Sequence, residues 1–332
     1  MLGVFEKLSV LAVRIGVGRG AGIGVEIGFD TVPRSRDNPP MSAASAARLV
    51  LLGFSWGIGF LFINLAAPAF GPILLVALRV AIGGLVLLAY AHSLGLKVHW
   101  RANWFLFLTL GALNSAIPFV LVAYGQLRIE ASLAAVLICV APMFSAVLAH
   151  IAGEERIGLR RLAGLVAGVA GVAILFGWTP PDTVTEGFPP RPVAIALILA
   201  AALVYSIAAI YSRDTGKRAP GLILAGGCQI GAAVLLMPLL PAFWPTAMPT
   251  LEATASMIAL ALVCSALAFV LYFRLIADIG PVKTLTVNFI APVFGVGSGV
   301  VVLGESFTPT MMAGAAVILV GTWLVLDPLR RR

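Results

Sequence analysis

Residues 131–155, ASLAAVLICVAPMFSAVLAHIAGEE, and residues 281–305, PVKTLTVNFIAPVFGVGSGVVVLGE, lie 150 positions apart and share their punctuation. Each carries a long apolar run with Ala-Pro inside it, a Phe two residues later and a Glu at its end. A run of roughly 20 apolar residues is the length that crosses the hydrocarbon core of a bilayer as an α-helix. Working outward from this pair, eight more such stretches can be read, giving ten: 49–67, 70–90, 104–124, 131–151, 160–178, 193–212, 221–241, 254–273, 282–303 and 308–326. In lipid the backbone must satisfy its own hydrogen bonds, so helices are expected; short alternating strands of a barrel are not seen.

Composition agrees. Of 332 residues 61% are apolar and only 11% charged, against about one quarter charged in soluble domains. The net charge of +8 comes from basic residues scattered between apolar runs, not from a dense patch with interleaved aromatics, so nucleic acid is not an expected partner. The scatter is a topology signal instead. With the N-terminus in the cytoplasm, the inner loops hold Arg48, Lys97, Arg101, Arg156, Arg160, Arg161, Arg213, Lys217, Arg218, Arg274, Lys283 and Arg330–Arg332. The outer loops hold only Arg128 and Arg191. Excess Lys and Arg mark the cytoplasmic side, which places both termini there and the protein in a bacterial inner membrane.

The 150-residue offset extends beyond the opening pair. It superposes Ser115-Ala116 on Ser265-Ala266, Phe119-Val120-Leu121 on Phe269-Val270-Leu271, Ala163-Gly164 on Ala313-Gly314, and Gly171 on Gly321. Two repeats are therefore expected, 46–178 and 193–327, each of five spans. Five is odd, so the second repeat enters the membrane from the opposite face, an inverted-topology duplication. Exchange of conformation between inverted halves converts an outward-open cavity into an inward-open one around a midplane site.

Residues 1–45 differ. Gly16–Gly28 is glycine-rich and carries Arg19 and Glu26, and Arg34-Ser35-Arg36-Asp37-Asn38-Pro39-Pro40 reads as disordered. No clean apolar core with a small-residue cleavage site marks a signal peptide. Met41, followed by Ser42-Ala43-Ala44-Ser45, reads as an alternative start, with 1–40 as an N-terminal extension.

The residues now resemble a known family. Trp56-Gly57 follows a short polar lead, Arg79 sits in the second span, Pro142 and Gly153-Glu154-Glu155-Arg156-Ile157 mark the fourth, and Pro292 with Gly304-Glu305-Ser306-Phe307 repeats that pattern. Gly164, Gly171, Gly314 and Gly321 follow in each half. This resembles the drug/metabolite transporter superfamily, EamA type, over about 46–327. The resemblance implies ten helices in two five-helix units, a cavity between the halves, and frequent export of amino acids or other metabolites. The expected partners are a small-molecule substrate and the lipid bilayer; the sequence leaves room for a homodimer.

Few residues are equipped for chemistry. Arg79 is a cation about nine residues into its span, and such a group faces the bundle interior or water. No Asp or Glu lies mid-span; Glu130, Glu155, Asp278 and Glu305 stand at span ends. Arg79 is thus either an attractor of a substrate carboxylate or a cap on backbone carbonyls or a lipid headgroup. Asn64, Asn114, Tyr205, Gln229, Tyr272 and Asn288 line the pathway or hydrogen-bond between helices, and the rings of Trp56 and Tyr205 suit a cavity wall. Pro142 and Pro292 remove ladder hydrogen bonds and are candidate hinges. Glu155 and Glu305 are expected to cap or brace helix ends. Gly53/Gly57, Gly164/Gly168 and Gly227/Gly231 have the spacing of close helix contacts.

The alternatives are an integral membrane enzyme acting on lipid-linked substrates, and a non-transporting scaffold. The enzyme would need clustered catalytic groups, whereas Asp182, Asp214, Asp278 and Asp327 are dispersed, and no GxxxxGK[ST] loop occurs. Cys139, Cys228 and Cys264 lie inside spans without metal-ligand spacing. No catalytic residue, metal or cofactor is expected. His92, His99 and His150 sit at helix ends, which gives little support to an intramembrane proton relay.

Overall fold

A computed structural model describes residues 12–17, 23–28, 42–152, 157–177, 189–215, 218–245, 247–306 and 308–326. Within them the apolar runs form ten helical rods: α1 Ala43–Phe70, α2 Pro72–Ser93, α3 Trp100–Gly125, α4 Ala131–Ile151, α5 Leu159–Gly177, α6 Arg191–Thr215, α7 Gly221–Ala242, α8 Leu251–Ile279, α9 Val287–Leu303 and α10 Pro309–Leu326. Seven of these, all but α5, α9 and α10, are long and apolar enough to span a membrane by a strict criterion. Beyond the N-terminal extension, the described residues make an all-α membrane protein of ten helical rods.

The duplication is visible in the packing. The pairs α2–α7, α4–α9 and α5–α10 each join equivalent helices of the two halves. Three further contacts have counterparts: α1–α8 mirrors α6–α3, α1–α9 mirrors α6–α4, and α2–α8 mirrors α7–α3. The equivalent helices run antiparallel. On α5 and α10, Gly164 faces Gly321 while Gly171 faces Gly314; on α4 and α9, Ala135 faces Gly295 and Ser132 faces Gly299. Equivalent helices that cross antiparallel are what an inverted repeat requires, so the two five-helix units are inverted.

Small residues set the closeness of these crossings, because lipid supplies no hydrophobic drive between helices and backbones must pack directly. A β-carbon added at Gly164 would lie 2.7 Å from the Gly321 carbonyl oxygen, and one at Gly171 would lie 2.9 Å from that of Gly314. Gly53 and Gly57 admit α9 against α1, and Gly227 and Gly231 admit Phe107 of α3 against α7.

Helix geometry also repeats at the offset. α3 carries a π-helical segment at Ala112–Ala116 and α8 one at Leu262–Leu267. Pro118 follows the first and explains it, since its missing N–H loosens the ladder upstream. The second has Ala268 at that place, and the Ser265 hydroxyl donates to the Leu260 carbonyl, five residues back, at 3.3 Å. α4 tightens to a 3₁₀ turn at Ile138–Val140 just before Pro142. α9 begins only at Val287, after a single turn Pro281–Thr284, so a break precedes Pro292 and Asn288 lies directly at it.

One departure concerns the N-terminal extension, expected to lack structure. Ala12–Val17 and Ile23–Gly28 pair antiparallel, with Arg14 opposite Glu26 in register. Alternating Val and Ile in both segments supply the β period. Residues 34–40, Glu155 and Asp182 lie outside the described residues.

Candidate functional site

Arg79 is drawn into the interior, 7% exposed. Its Nε donates to Ser265 Oγ at 2.9 Å, and its guanidinium carbon stands 3.8 Å from the centre of the Phe119 ring. The π-helical segment of α8 places Ser265 here, as π-bulges often do at functional positions. The stacked ring stabilises the cation where water is scarce. One hydrogen bond from Nε leaves the two terminal nitrogens without a protein acceptor among the described residues. Arg79 belongs to the first repeat and Ser265 to the second, so the site bridges the halves.

Aromatic rings form two symmetry-related pairs, the first of which reaches Arg79 through Phe119. Phe119 of α3 meets Tyr205 of α6 at 6.4 Å between ring centres, and Phe269 of α8 meets Trp56 of α1 at 6.5 Å. Phe119 and Phe269 are equivalent at the 150-residue offset, and Tyr205 and Trp56 stand one residue out of register. Tyr272 lies 5.5 Å from Trp56. Four of the expected site residues therefore fall in two groups: Arg79 with Tyr205 through Phe119, and Trp56 with Tyr272. Asn64, Asn114 and Asn288 are half-buried, and no hydrogen bond joins them to Arg79 among the described residues.

The carbonyls near Pro142 already have partners. Ser206 of α6 donates to Ala141 O at 2.7 Å, and Thr322 of α10 to Cys139 O at 3.0 Å. These groups tie α4 to the second repeat and leave little for a substrate. Both ends of the bundle carry ion pairs between the repeats. At the end holding the start of α1, Arg48 donates to Asp278 of α8 at 2.7 Å. At the opposite end, Arg191 of α6 makes a two-pronged pair with Glu130, at 3.0 and 2.9 Å. The first pair joins the start of α1 to the end of α8, and the second joins the start of α6 to the residue that precedes α4.

Glu305 behaves as a brace. Gly304 ends α9 in the left-handed conformation (φ 67°, ψ 24°), a common helix stop. The turn brings the Glu305 carboxylate to the first turn of α4, where it accepts from Ala131 N at 2.7 Å and Ser132 N at 2.9 Å. Sequence reasoning missed Ser265 and Phe119 as partners of Arg79. The signal was present, since both stand among the identities at the fixed offset.

The three cysteines are free and buried, and no group of metal-binding side chains occurs among the described residues. Two grooves, one of about 370 Å³ between α1 and α9 at Phe54, Val293 and Val301, the other on α5 at Val166, are apolar and lie on the outer surface of the bundle, away from Arg79.

An inverted helical duplication with an inter-repeat interior site is a membrane-carrier architecture. Both halves, 45–177 and 192–327, match the EamA-like transporter family, and the chain belongs to that family. It is 27% identical over 83% of its length to a "Probable terminal-alkyne amino-acid exporter" of Streptantibioticus cattleyicolor, of which the match covers 91%. It is 21% identical over 86% of its length to a "Probable amino-acid metabolite efflux pump" of Salmonella typhimurium, of which 95% is covered. A solved crystal structure, 23% identical, superposes with a TM-score of 0.56 over 84% of this chain and 96% of the other, a likeness of fold. The protein is a multi-pass membrane transporter of small molecules.

Proposed function

We propose that this transporter is a secondary exporter of amino-acid-like metabolites, working by alternating access between its inverted repeats. Arg79 carries the reading. It is the sole Asp, Glu, Lys or Arg that the sequence places mid-span, its anchoring serine comes from the other repeat, and its terminal nitrogens form a fork suited to a carboxylate. The printed names of the Streptantibioticus and Salmonella relatives, both concerned with amino acids, support the same class. The two aromatic pairs suit an apolar or aromatic body attached to that carboxylate.

The ion pairs at the two ends are fitted to gate it. Each joins the repeats across one mouth, and partly exposed pairs contribute only about 0–1 kcal/mol, so opening either mouth is energetically accessible. The loop charges support both termini on the cytoplasmic side of a bacterial inner membrane, which would put Arg48–Asp278 on the inner side and Glu130–Arg191 on the outer side. Reporter fusions at Arg332 and within 182–191 test this; a cytoplasmic signal from the latter defeats the orientation.

The functional test is counterflow in proteoliposomes, with labelled L-phenylalanine as the probe. A carrier gives saturable, counterflow-stimulated uptake, and Arg79→Gln abolishes most of it while the folded yield stays near wild type. Flux that rises linearly with concentration, or Arg79→Gln protein that keeps full affinity, contradicts the proposal.

A further inference from the structure

The 150-residue offset that matches the repeats carries Arg79 of α2 onto Gln229 of α7. The two helices cross antiparallel, and Gln229 packs against α2 one turn beyond Arg79. A β-carbon added at Gly83 would lie 2.8 Å from Gln229 Oε1 and 3.0 Å from Ser265 Cβ. Gln229 and the serine that holds Arg79 therefore share one notch, floored by Gly83, where a larger residue would fill the space. Gln229 is wholly buried, and among the described residues neither its Oε1 nor its Nε2 has a hydrogen-bond partner. A buried amide with both polar atoms unmatched is destabilising, and native structures rarely keep one without a reason. In this place a leucine would pack without that cost.

We infer that Gln229 is the second polar arm of the Arg79 site and selects substrates that carry an amino group beside the carboxylate. Resting on the carboxylate reading of Arg79, the inference assigns the substrate's ammonium to Gln229 Oε1 and leaves Nε2 to donate to a carboxylate oxygen. Duplication supplied two equivalent polar positions at mid-membrane, and their divergence into Arg and Gln converts a symmetric pair into a recogniser of a dipolar molecule. A cation on one arm and a neutral amide on the other fit a zwitterion without placing a second unpaired charge in the membrane.

The test compares two probes that differ in the ammonium alone, L-phenylalanine and 3-phenylpropanoate, as competitors for uptake in proteoliposomes of the full chain. Wild type is expected to favour L-phenylalanine by about tenfold or more, the worth of one well-made buried hydrogen bond to a charged group. Gln229→Leu should bring that ratio to near one, weakening L-phenylalanine far more than 3-phenylpropanoate, which loses only the Nε2 contact to its carboxylate. Arg79→Gln should weaken both probes together and leave the ratio standing. The ligand-free Gln229→Leu protein should melt at a temperature equal to or above wild type, a change opposite in sign to that of a structural hydrogen bond removed. If it expresses poorly, Gln229→Met, closer in volume, takes its place. An unchanged ratio in the folded variant, a lowered melting temperature with normal selectivity, or no preference for L-phenylalanine in wild type overturns the inference. Failure of Arg79→Gln to weaken either probe instead defeats the underlying carboxylate reading.

Discussion

Glu305→Ala should loosen the contact between the repeats at one end of the bundle, by an amount that can be worked from two hydrogen bonds. The carboxylate accepts the backbone N–H groups of Ala131 and Ser132 at 2.7 and 2.9 Å. These are among the first amides of α4, which have no partner within their own helix. A hydrogen bond to a charged acceptor contributes about 1.5–3 kcal/mol, and a negative charge at a helix N-terminus a further ~0.3–1 kcal/mol. Water reaches this half-buried end and replaces part of what is lost, so roughly 2–4 kcal/mol is expected for the alanine variant. Glu305→Gln keeps one oxygen acceptor and loses the charge, and should fall about midway. For a chain of this size that is a drop of about 4–8 °C in melting temperature, measured by fluorescence-detected size exclusion of detergent-solubilised protein. Gly299→Ala should reproduce part of it, because a β-carbon there would press on the Glu305 carboxylate. A Glu305→Ala protein that melts within a degree of wild type would show that the bridge holds nothing, and the argument for Glu305 as a brace would fail.

Three further outcomes follow from the packing. Gly164→Leu, set against the Gly321 carbonyl, should reduce folded yield severalfold, whereas Leu165→Ala on the neighbouring partly buried position should not; equal yields would refute the close crossing of α5 and α10. Arg191→Ala and Asp278→Asn, each breaking an ion pair at one end, should shift cysteine-labelling accessibility in opposite directions, outward opening for the first and inward opening for the second, with melting temperature changed by no more than a few degrees; identical shifts would argue against paired gates. Arg79→Lys should retain part of the uptake that Arg79→Gln loses, since charge persists while the planar fork does not; full activity in Arg79→Lys would show that the fork is unnecessary.

The ten helices were legible because the signal is long and redundant. Each run of apolar residues approaches or exceeds the roughly 20 residues needed to cross a bilayer, and the observed rods begin and end within a few residues of the expected spans except at the starts of α1 and α9 and the end of α8. α8 runs on to Ile279 because its amphipathic last turns keep hydrogen bonding beyond the apolar stretch, where Arg274 and Asp278 pair at i and i+4. Arg79 was legible as well, since a lone cation at mid-span must be accounted for. Its neighbours were less so. Ser265 is 186 positions away, and a hydroxyl inside an apolar run has no periodic signature. The π-helical segments were invisible at Leu262–Leu267, which has no proline, though Pro118 hinted at the first. Gln229 is one polar residue among six within the spans, and the poor alignment of the first two spans of each half hides its equivalence to Arg79.

Symmetry and its breaking have separate roles in this molecule. The contact pattern, the π-helical segments, the proline-bearing helices and the small-residue crossings all repeat between halves, and that equivalence makes two mirror-related conformations comparable in energy. A ligand shifts such an equilibrium only by binding one state better than the other. The differences between halves are therefore where substrate and direction can be encoded. They fall at Arg79 against Gln229, at Trp56 and Tyr205 one residue out of register, and at the mouths. There Arg191 grips Glu130 with two hydrogen bonds, while Arg48 makes one to Asp278, which Arg274 also approaches at 3.6 Å. A bidentate pair is the stronger of the two, so under the proposed gating the Glu130 end would be held closed more firmly than the Asp278 end. In the proposed orientation that end faces outward, and the unloaded carrier would then present Arg79 most readily to the cytoplasm, the bias that the proposed export requires.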